Sequence, residues 1–151
     1  MTTILLTVLV ISLALAALAL QRVPLGQVYS VYRHGKQARL LQAGTHWVVP
    51  LLDRVAHKID LAGQTLRLEE PTDTNGVQGT VYWQVLEPER ADAVFEEVDQ
   101  LIRRGAQEAL SAEPTVASVD RRDLGTRLKY SLNQTLRERG MLVTRVDLDA
   151  A

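Results

Sequence analysis

Cysteine is missing from this chain of 151 residues, and aromatic residues are scarce, at 5%. Without cysteine there is neither a disulfide nor a thiolate metal site, so cysteine usage does not indicate the redox compartment. No basic cluster is interleaved with aromatic side chains, which argues against a nucleic-acid partner. Hydrophobic residues at 46% and charged residues at 23% are an ordinary globular mixture, and they predict a folded part with a core.

Acidic residues are missing from the first 52 positions. Residues 21–52 carry a net charge of +4, whereas residues 53–151 hold all 18 acidic residues and carry −5. A basic stretch just beyond an apolar segment favours contact with anionic lipid headgroups. The four basic residues of that stretch are Arg22, Arg33, Lys36 and Arg39.

Charge of either sign is missing from residues 4–20, where Thr7 and Ser12 are mild polar interruptions. As a helix, this run would span about 25 Å, close to the ~30 Å hydrocarbon core of a bilayer. It predicts a single transmembrane anchor within residues 1–22, followed by one domain of residues 23–151. The large apolar side chains of the anchor are Ile4, Leu5, Leu6, Val8, Leu9, Val10, Ile11, Leu13, Leu15, Leu18 and Leu20.

A cleaved signal peptide is the alternative, because Ala17 and Ala19 fit the small-residue pattern of a cleavage site. Cleavage after Ala19 would release a secreted or periplasmic binding module. The first three residues contain no Lys or Arg and the apolar run is longer than a usual signal core, so a retained anchor is the preferred interpretation. The positive-inside rule then predicts a cytoplasmic domain.

The N-terminal half of the domain has short runs of β-forming residues separated by Gly and Pro, which predict strands. The predicted strands cover residues 27–34, 36–42, 46–49, 54–60, 64–69 and 77–86, with a loop at residues 71–76. In the strand of residues 54–60, Val55, His57 and Ile59 share one face. A tight turn is predicted at Gly35.

The C-terminal half has helical spacing. Pro88 predicts a helix start, and the helix extends to about residue 113 with a break near Glu97. A second helix covers residues 120–139 and stops at Gly140, before a closing strand at residues 141–148. The predicted fold class is therefore α+β. The predicted apolar faces are Leu101, Ala106, Ala109 and Leu110 in the first helix, Leu124, Leu128, Leu132 and Leu136 in the second, and Leu142, Thr144, Val146 and Leu148 in the strand.

Three stretches form an ordered pattern. Residues 41–55 read LQAGTHWVVPLLDRV, residues 79–91 read GTVYWQVLEPERA, and residues 119–149 contain a charged helix, a glycine and a short strand ending in Asp. This order and spacing resembles the SPFH (Band 7) family, which includes stomatins, prohibitins, flotillins and bacterial regulators of membrane proteases. Stomatin and slipin are the most similar members.

The resemblance implies a scaffold in membrane microdomains that forms homo-oligomers, or hetero-oligomers with related SPFH proteins. The implied partners are the lipid bilayer and membrane-protein clients such as proteases or channels. Ala43 stands where the family usually has proline, and the loop at residues 72–78 is short. Members usually continue into a long charged helix, whereas this sequence stops at Ala151, so a large closed cage is not expected.

No residue pattern predicts catalysis, a cofactor or a metal site. His34, His46 and His57 match no zinc signature, and the sequence has neither a nucleophile elbow nor a phosphate-binding glycine loop. Asp53 is interpreted as a turn cap or a partner in a local ion pair, such as with Arg54. We therefore expect no enzymatic activity.

Two surface roles are left open by the sequence. Trp47, with Leu51 and Leu52, is expected either to contact the membrane or to be buried in the core. The acidic run of the first C-terminal helix is either a solvated face or one side of a head-to-tail interface with basic residues of a neighbouring copy. The candidate interface residues are Glu96, Glu97, Asp99, Arg103, Arg104, Arg121 and Arg122.

Overall fold

The apolar N-terminal run forms a helix in the computed structural model, which describes residues 1–70, 77–112 and 120–149. Helix α1 covers Thr2–Ala19 and has no buried residue. It is the one helix within the described residues that is long and apolar enough to cross a membrane. It ends one residue before the apolar run does, because Leu20 adopts an extended conformation and begins a strand.

The chain divides into two compact units, Met1–Asp60 and Leu61–Ala151, here called the N-terminal unit and the C-terminal unit. The N-terminal unit contains α1 and two antiparallel sheets, in which β1 pairs with β4 and β2 lies between β3 and β5. Its strands are β1 (Leu20–Val23), β2 (Gln27–Arg33), β3 (Lys36–Leu41), β4 (Gly44–Trp47) and β5 (Asp53–Asp60).

The sequence predicts β2 to β5 to within two residues at each end, but it does not predict β1. Residues 20–23 are few and contain Gln21 and Arg22, so their β character comes from pairing with β4, which is distant in sequence. The alternation predicted for β5 is confirmed, because Ile59 is buried and Val55 and His57 are half-buried.

The turn between β2 and β3 has two residues with positive φ, His34 at 52° and Gly35 at 77°. Positive φ at both central positions is the conformation that two-residue hairpins prefer, since it matches the twist of the strands. The tight turn predicted at Gly35 is confirmed. The core of the unit is a cluster of buried side chains from β1, β2, β3 and the residue after β4, namely Val23, Tyr29, Val31, Leu41 and Val48.

The C-terminal unit contains one antiparallel sheet in the order β6-β7-β8, with α4 packed on β8 and α3 packed on α4. The predicted break near Glu97 is confirmed, because a 3-10 segment separates α2 from α3. The predicted loop at residues 71–76 lies outside the described residues. The elements are β6 (Gln64–Glu70), β7 (Val77–Val85), α2 (Pro88–Ala91), the 3-10 segment Asp92–Glu97, α3 (Val98–Ser111), α4 (Arg121–Leu136), a 3-10 turn Arg137–Arg139 and β8 (Met141–Leu148).

The leucine stripe predicted for α4 is confirmed, since all four leucines are buried. In α3 the buried stripe is Val98, Ile102 and Ala106. Of the four residues predicted to form the apolar face of α3, only Ala106 is buried. The half-buried side chains of Leu101, Ala109 and Leu110 lie beside the buried stripe. Gly140 ends the last helical turn in the left-handed conformation, with φ of 74°, which confirms the predicted stop.

The predicted face of β8 is wrong for Leu142 and Thr144 and right for Val146 and Leu148. Met141 and Val143 are buried, whereas Thr144 is exposed. The register against β7 shifts between Tyr82 and Trp83, so the extra residue on β8 is a β-bulge, which reverses the alternation of faces. The inward face is therefore Met141, Val143, Val146 and Leu148, opposite Val85, Trp83, Val81 and Gly79.

A buried amide holds β8 beside this bulge. Asn133 of α4 donates from Nδ2 to the Val143 carbonyl at 3.0 Å, and its Oδ1 accepts the Val143 N–H at 2.8 Å. The side chain thus pairs with β8 as a neighbouring strand would. The architecture as a whole is α+β, with a strand-rich N-terminal half, C-terminal helices and a closing strand, as the sequence predicts.

Candidate functional site

The clearest candidate site lies in the N-terminal unit, where α1 joins the first sheet. Leu20 and Trp47 are directly opposite each other in the β1–β4 pair. The Val48 N–H donates to the Ala19 carbonyl at 2.8 Å. These contacts place Trp47 beside the last turn of α1. Its side chain is 63% exposed, so the alternative of burial in the core is wrong.

A tight turn continues this surface after β4. The N–H groups of Leu52 and Asp53 both donate to the Val49 carbonyl, at 3.1 and 2.8 Å. The turn directs Leu51 into solvent, where it is 90% exposed. The predicted membrane-contact residues therefore lie on β4, which pairs with the strand that follows α1, and on the turn directly after β4. We call this set the interfacial surface, and its members are Leu20, Trp47, Val49, Leu51 and Leu52.

A buried carboxylate holds the turn in place. The Asp53 side chain is only 1% exposed, and it accepts a hydrogen bond from Arg33 Nε at 2.7 Å. It also accepts the Val49 N–H at 3.2 Å, and Arg39 Nη2 lies 3.6 Å from its second oxygen. The predicted turn cap and ion pair are both present, but the partner is Arg33 rather than Arg54. β-Pairing explains this choice, because Arg33 is opposite Asp53 in the β2–β5 register.

These contacts change the acidity of the groups involved. The Arg33 hydrogen bond, followed by that of the Val49 N–H, lowers the pKa of the Asp53 carboxyl below its ordinary value. The same carboxylate raises the pKa of Arg33. Asp53 is therefore ionised at neutral pH and holds both arginines by charge.

Arg39 links the carboxylate to the interfacial surface. Besides its contact with Asp53, the Nη2 of Arg39 donates to the Trp47 carbonyl. Two strands and the turn thus meet at one group of charges, formed by Arg33, Arg39 and Asp53, and here called the arginine pair with its carboxylate. Sequence reasoning did not find this group. The register of β2 against β5 creates it, by setting Arg33 at the end of β2 opposite Asp53 at the start of β5.

The candidate interface residues lie in the C-terminal unit. Glu96, Glu97 and Asp99 are exposed around the start of α3, where Arg104 is also exposed and Arg103 is half-buried. The structure therefore brings the three acidic side chains to one end of α3, with the two arginines about one turn further along.

The two other candidate arginines lie in the first turn of α4. Arg121 donates to the Asp149 carbonyl. The N–H of Arg122 donates to the Asp120 carboxylate at 3.2 Å, which caps the helix. Both arginine side chains are exposed.

The three histidines lie in different local settings. His34 is in the β2–β3 turn, the His46 Nε2 is 2.8 Å from the Gln42 carbonyl oxygen, and the His57 ring meets Tyr32 edge-on at 5.8 Å. Across residues 1–70, 77–112 and 120–149, no group of three or more His, Asp or Glu is placed to hold a metal ion.

Among known protein families, the sequence model of the SPFH domain / Band 7 family matches residues 21–151 of this chain. The chain belongs to the Band 7 family. The Band 7 match begins within β1, so it contains the whole interfacial surface except Leu20. Membership places the chain in a family of membrane-associated scaffolds that are generally not enzymes.

A relative in Schizosaccharomyces pombe is similar over most of this Band 7 chain. It is named "Uncharacterized protein C16G5.07c", and it is 25% identical over 139 residues. The alignment covers 83% of this chain and 39% of that protein. The chain thus spans about two fifths of the length of the curated relative it matches.

Proposed function

We propose that this chain is a single-pass, membrane-anchored Band 7 scaffold that oligomerises laterally and organises or restrains other membrane proteins. In this proposal residues 1–22 anchor the chain, residues 23–151 form the domain, and the mechanism is binding without bond chemistry. The candidate clients are membrane proteases and channels, by resemblance to the family. The copies associate with each other or with related SPFH proteins.

The observation that supports this proposal most strongly is the position of Trp47 opposite Leu20 at the end of α1. Tryptophan favours the headgroup region of a bilayer. An 18-residue helix is about 27 Å long, slightly shorter than a hydrocarbon core of about 30 Å. The interfacial surface would extend the apolar length of α1 on the side of the domain.

The exposed apolar area also favours lipid contact. All of the large side chains of α1 are exposed, as are Trp47, Leu51 and Leu52. A contiguous apolar surface of this kind is costly in water and indicates a membrane or protein partner. A bilayer would cover both α1 and the interfacial surface.

Retention of α1 is favoured over cleavage after Ala19. The Ala19 carbonyl accepts the Val48 N–H, and cleavage there would remove that acceptor from the sheet. The N-terminal unit has six basic and two acidic residues, a net charge of +4. By the positive-inside rule this supports a cytoplasmic domain.

Lateral association is proposed through opposite charges on neighbouring copies. The exposed Glu97 and Asp99 of one copy would face Arg103 and Arg104, or Arg121 and Arg122, of the next. Different patches on the two copies make this contact head-to-tail, which generates rings or filaments. Glu96 would lie at the margin of the same contact.

The test uses the full chain with a C-terminal tag, expressed in membranes and extracted in mild detergent. We expect an uncleaved intact mass and a discrete assembly of many copies by light scattering. A chain shortened by the first 19 residues that remains a soluble monomer would overturn the proposal and favour the released binding module.

Charge reversal tests the interface in the same assay. The double variant Glu97→Arg/Asp99→Arg is expected to reduce the assembly size. Adding either Arg103→Glu/Arg104→Glu or Arg121→Glu/Arg122→Glu is expected to restore it, and the pair that does so is the partner. The control is Glu108→Arg, which reverses an exposed acidic residue elsewhere on α3. Unchanged assembly in the double variant would overturn this choice of interface without affecting the anchor.

A further inference from the structure

Two guanidinium groups lie close together at the level where α1 ends. Arg39 contacts the Trp47 carbonyl, and Trp47 is opposite Leu20, the first residue beyond α1. Arg33 shares the Asp53 carboxylate with Arg39. If α1 spans a bilayer, the arginine pair with its carboxylate lies at headgroup depth.

The group has one more positive than negative charge. Arg33 and Arg39 contribute two positive charges and Asp53 contributes one negative charge. No other acidic residue precedes Asp60 in the sequence, and Asp60 lies at the opposite end of β5, opposite Gln27. The excess positive charge is therefore not balanced within the N-terminal unit near this site.

Both arginines are partly exposed and keep N–H donors beyond those used in the contacts described above. The Arg33 and Arg39 side chains are 46% and 45% exposed, and the hydrogen bonds described above use Nε of Arg33 and Nη2 of Arg39. Each guanidinium has five N–H donors in a planar arrangement that matches phosphate oxygens. Because Asp53 fixes both groups, little side-chain entropy is lost when a phosphate binds.

We propose that Arg33 and Arg39 form a binding site for the phosphate group of an anionic phospholipid. The inference rests on the proposed function, because lipid headgroups reach the arginines only if α1 is in the membrane. Asp53 is a positioning residue, which holds the guanidinium groups side by side. The apolar residues of the interfacial surface would contact the acyl chains of the same lipid.

The experiment uses Trp47 as the reporter in the full-length chain. Trp83→Phe removes the other tryptophan of the sequence, which is buried in the C-terminal unit. The variant is reconstituted in two types of vesicle, both made of the same mixture of zwitterionic and anionic phospholipid. In one type the acyl chains of the zwitterionic lipid carry bromine, a fluorescence quencher, and in the other type the acyl chains of the anionic lipid carry it. The two vesicle types contain equal amounts of brominated lipid.

We expect brominated anionic lipid to quench Trp47 more than brominated zwitterionic lipid does, by about twofold. The preference should be lost in Arg33→Gln/Arg39→Gln/Asp53→Asn, where the third change avoids a buried unpaired carboxylate. The control Lys58→Gln lowers the net charge of the N-terminal unit by one, as the triple variant does, but at a position about 17 Å along β5 from Asp53. It should keep the preference.

The outcomes separate this inference from the proposed function. Equal quenching by both lipids would overturn the site for an anionic phospholipid and leave the membrane contact in place, whereas quenching by neither lipid would overturn both. Loss of the preference on adding inorganic phosphate, but not chloride of equal ionic strength, would show that free phosphate competes for the same guanidinium groups and would support the phosphate chemistry of the site.

A second measurement avoids the substitution of buried Trp83. The wild-type chain is purified in mild detergent, and the phospholipid that remains bound is identified by mass spectrometry. Anionic lipid is expected to be enriched over its fraction in the membrane, and the triple variant is expected to lose that enrichment. Equal retention of anionic lipid by the wild type and the triple variant would overturn the site.

Discussion

The two units of the chain carry net charges of opposite sign and differ in how far their apolar side chains are exposed. The N-terminal unit has a net charge of +4 and the C-terminal unit, with 11 basic and 16 acidic residues, has −5. The N-terminal unit exposes Trp47 and Leu51, whereas α4 of the C-terminal unit buries its whole leucine stripe. A basic unit with exposed apolar side chains suits a lipid surface, and an acidic unit with a closed core suits water and proteins.

Two ion pairs, one from each unit, differ in how far they are buried. Arg33 of the N-terminal unit pairs with a carboxylate that is buried. Arg67 and Glu69 of the C-terminal unit pair at 3.3 Å while both side chains remain largely exposed. Exposed pairs contribute little to stability because water and salt screen them. The Arg33–Asp53 pair is therefore expected to stabilise its unit more than the Arg67–Glu69 pair does.

The largest expected effect on the free energy of unfolding comes from one of a matched pair of glycine substitutions. Gly35 and Gly140 have nearly the same φ, 77° and 74°, but a Cβ at Gly140 would lie 2.5 Å from the Glu87 carbonyl oxygen, whereas one at Gly35 would meet nothing within 4 Å. Gly140→Ala is expected to lower the free energy of unfolding by about 2 to 4 kcal/mol, from strain plus overlap, and Gly35→Ala by about 1 to 2 kcal/mol, from strain alone.

Chemical denaturation of the full chain in mild detergent would measure both changes. Trp83 fluorescence reports on the C-terminal unit and Trp47 fluorescence on the N-terminal unit. Equal losses for the two variants would contradict the view that packing around Gly140 is the tighter of the two.

An intermediate effect is expected at Asn133. Asn133→Ala removes both hydrogen bonds to Val143 and leaves a buried N–H and a buried carbonyl without that partner, so we expect a loss of about 2 to 3 kcal/mol. The control is the exposed neighbour Gln134→Ala, with an expected change below about 0.5 kcal/mol. The same denaturation assay applies, and a loss at Asn133 no larger than at Gln134 would show that β8 does not depend on this amide.

The smallest expected effect is a difference between the Arg33–Asp53 and Arg67–Glu69 pairs in how the free energy of unfolding depends on pH. The pKa of Asp53 is lower in the folded chain than in the unfolded chain, so its stabilising contribution is fully present above the unfolded value of about 3.9. That contribution is lost as the pH falls through the folded-state pKa. Asp53→Asn is expected to lower stability at neutral pH and to flatten the acid dependence seen through Trp47.

The matched control for this effect is Glu69→Gln. Because Glu69 is exposed, we expect a change below about 0.5 kcal/mol in its case. An Asp53→Asn variant that keeps the wild-type acid profile would show that the buried carboxylate does not stabilise the N-terminal unit.

Local patterns made most of the fold predictable. The spacing of the α4 leucines and the glycine at position 140 depend on neighbours within one or two turns, and both predictions are confirmed. The first half of the β8 face was wrong because the bulge at Thr144 arises from pairing with β7, which no alternation within β8 reveals. Strand β1 was missed for a similar reason, since β4 supplies its hydrogen bonds.

The candidate site was predictable only in part. The aromatic and apolar character of Trp47, Leu51 and Leu52 predicted a membrane contact, which stays a prediction, and all three side chains are exposed on β4 and the turn after it. The partnership of Asp53 with Arg33 could not be read from nearby sequence, because 20 positions separate the two residues. It depends on the register of β2 with β5.

The direct passage from α1 into β1 has a mechanical consequence. Helix α1 ends at Ala19 and β1 begins at Leu20, so the last helical residue and the first strand residue are consecutive. A loop at this point would let the anchor tilt independently of the sheet, whereas the Val48–Ala19 hydrogen bond and the Leu20–Trp47 pairing join them. A thinner or thicker bilayer changes the tilt of a spanning helix. If α1 spans a bilayer as proposed, such a change would move β1 and β4 with the helix and convert bilayer thickness into a displacement of the β1–β4 sheet.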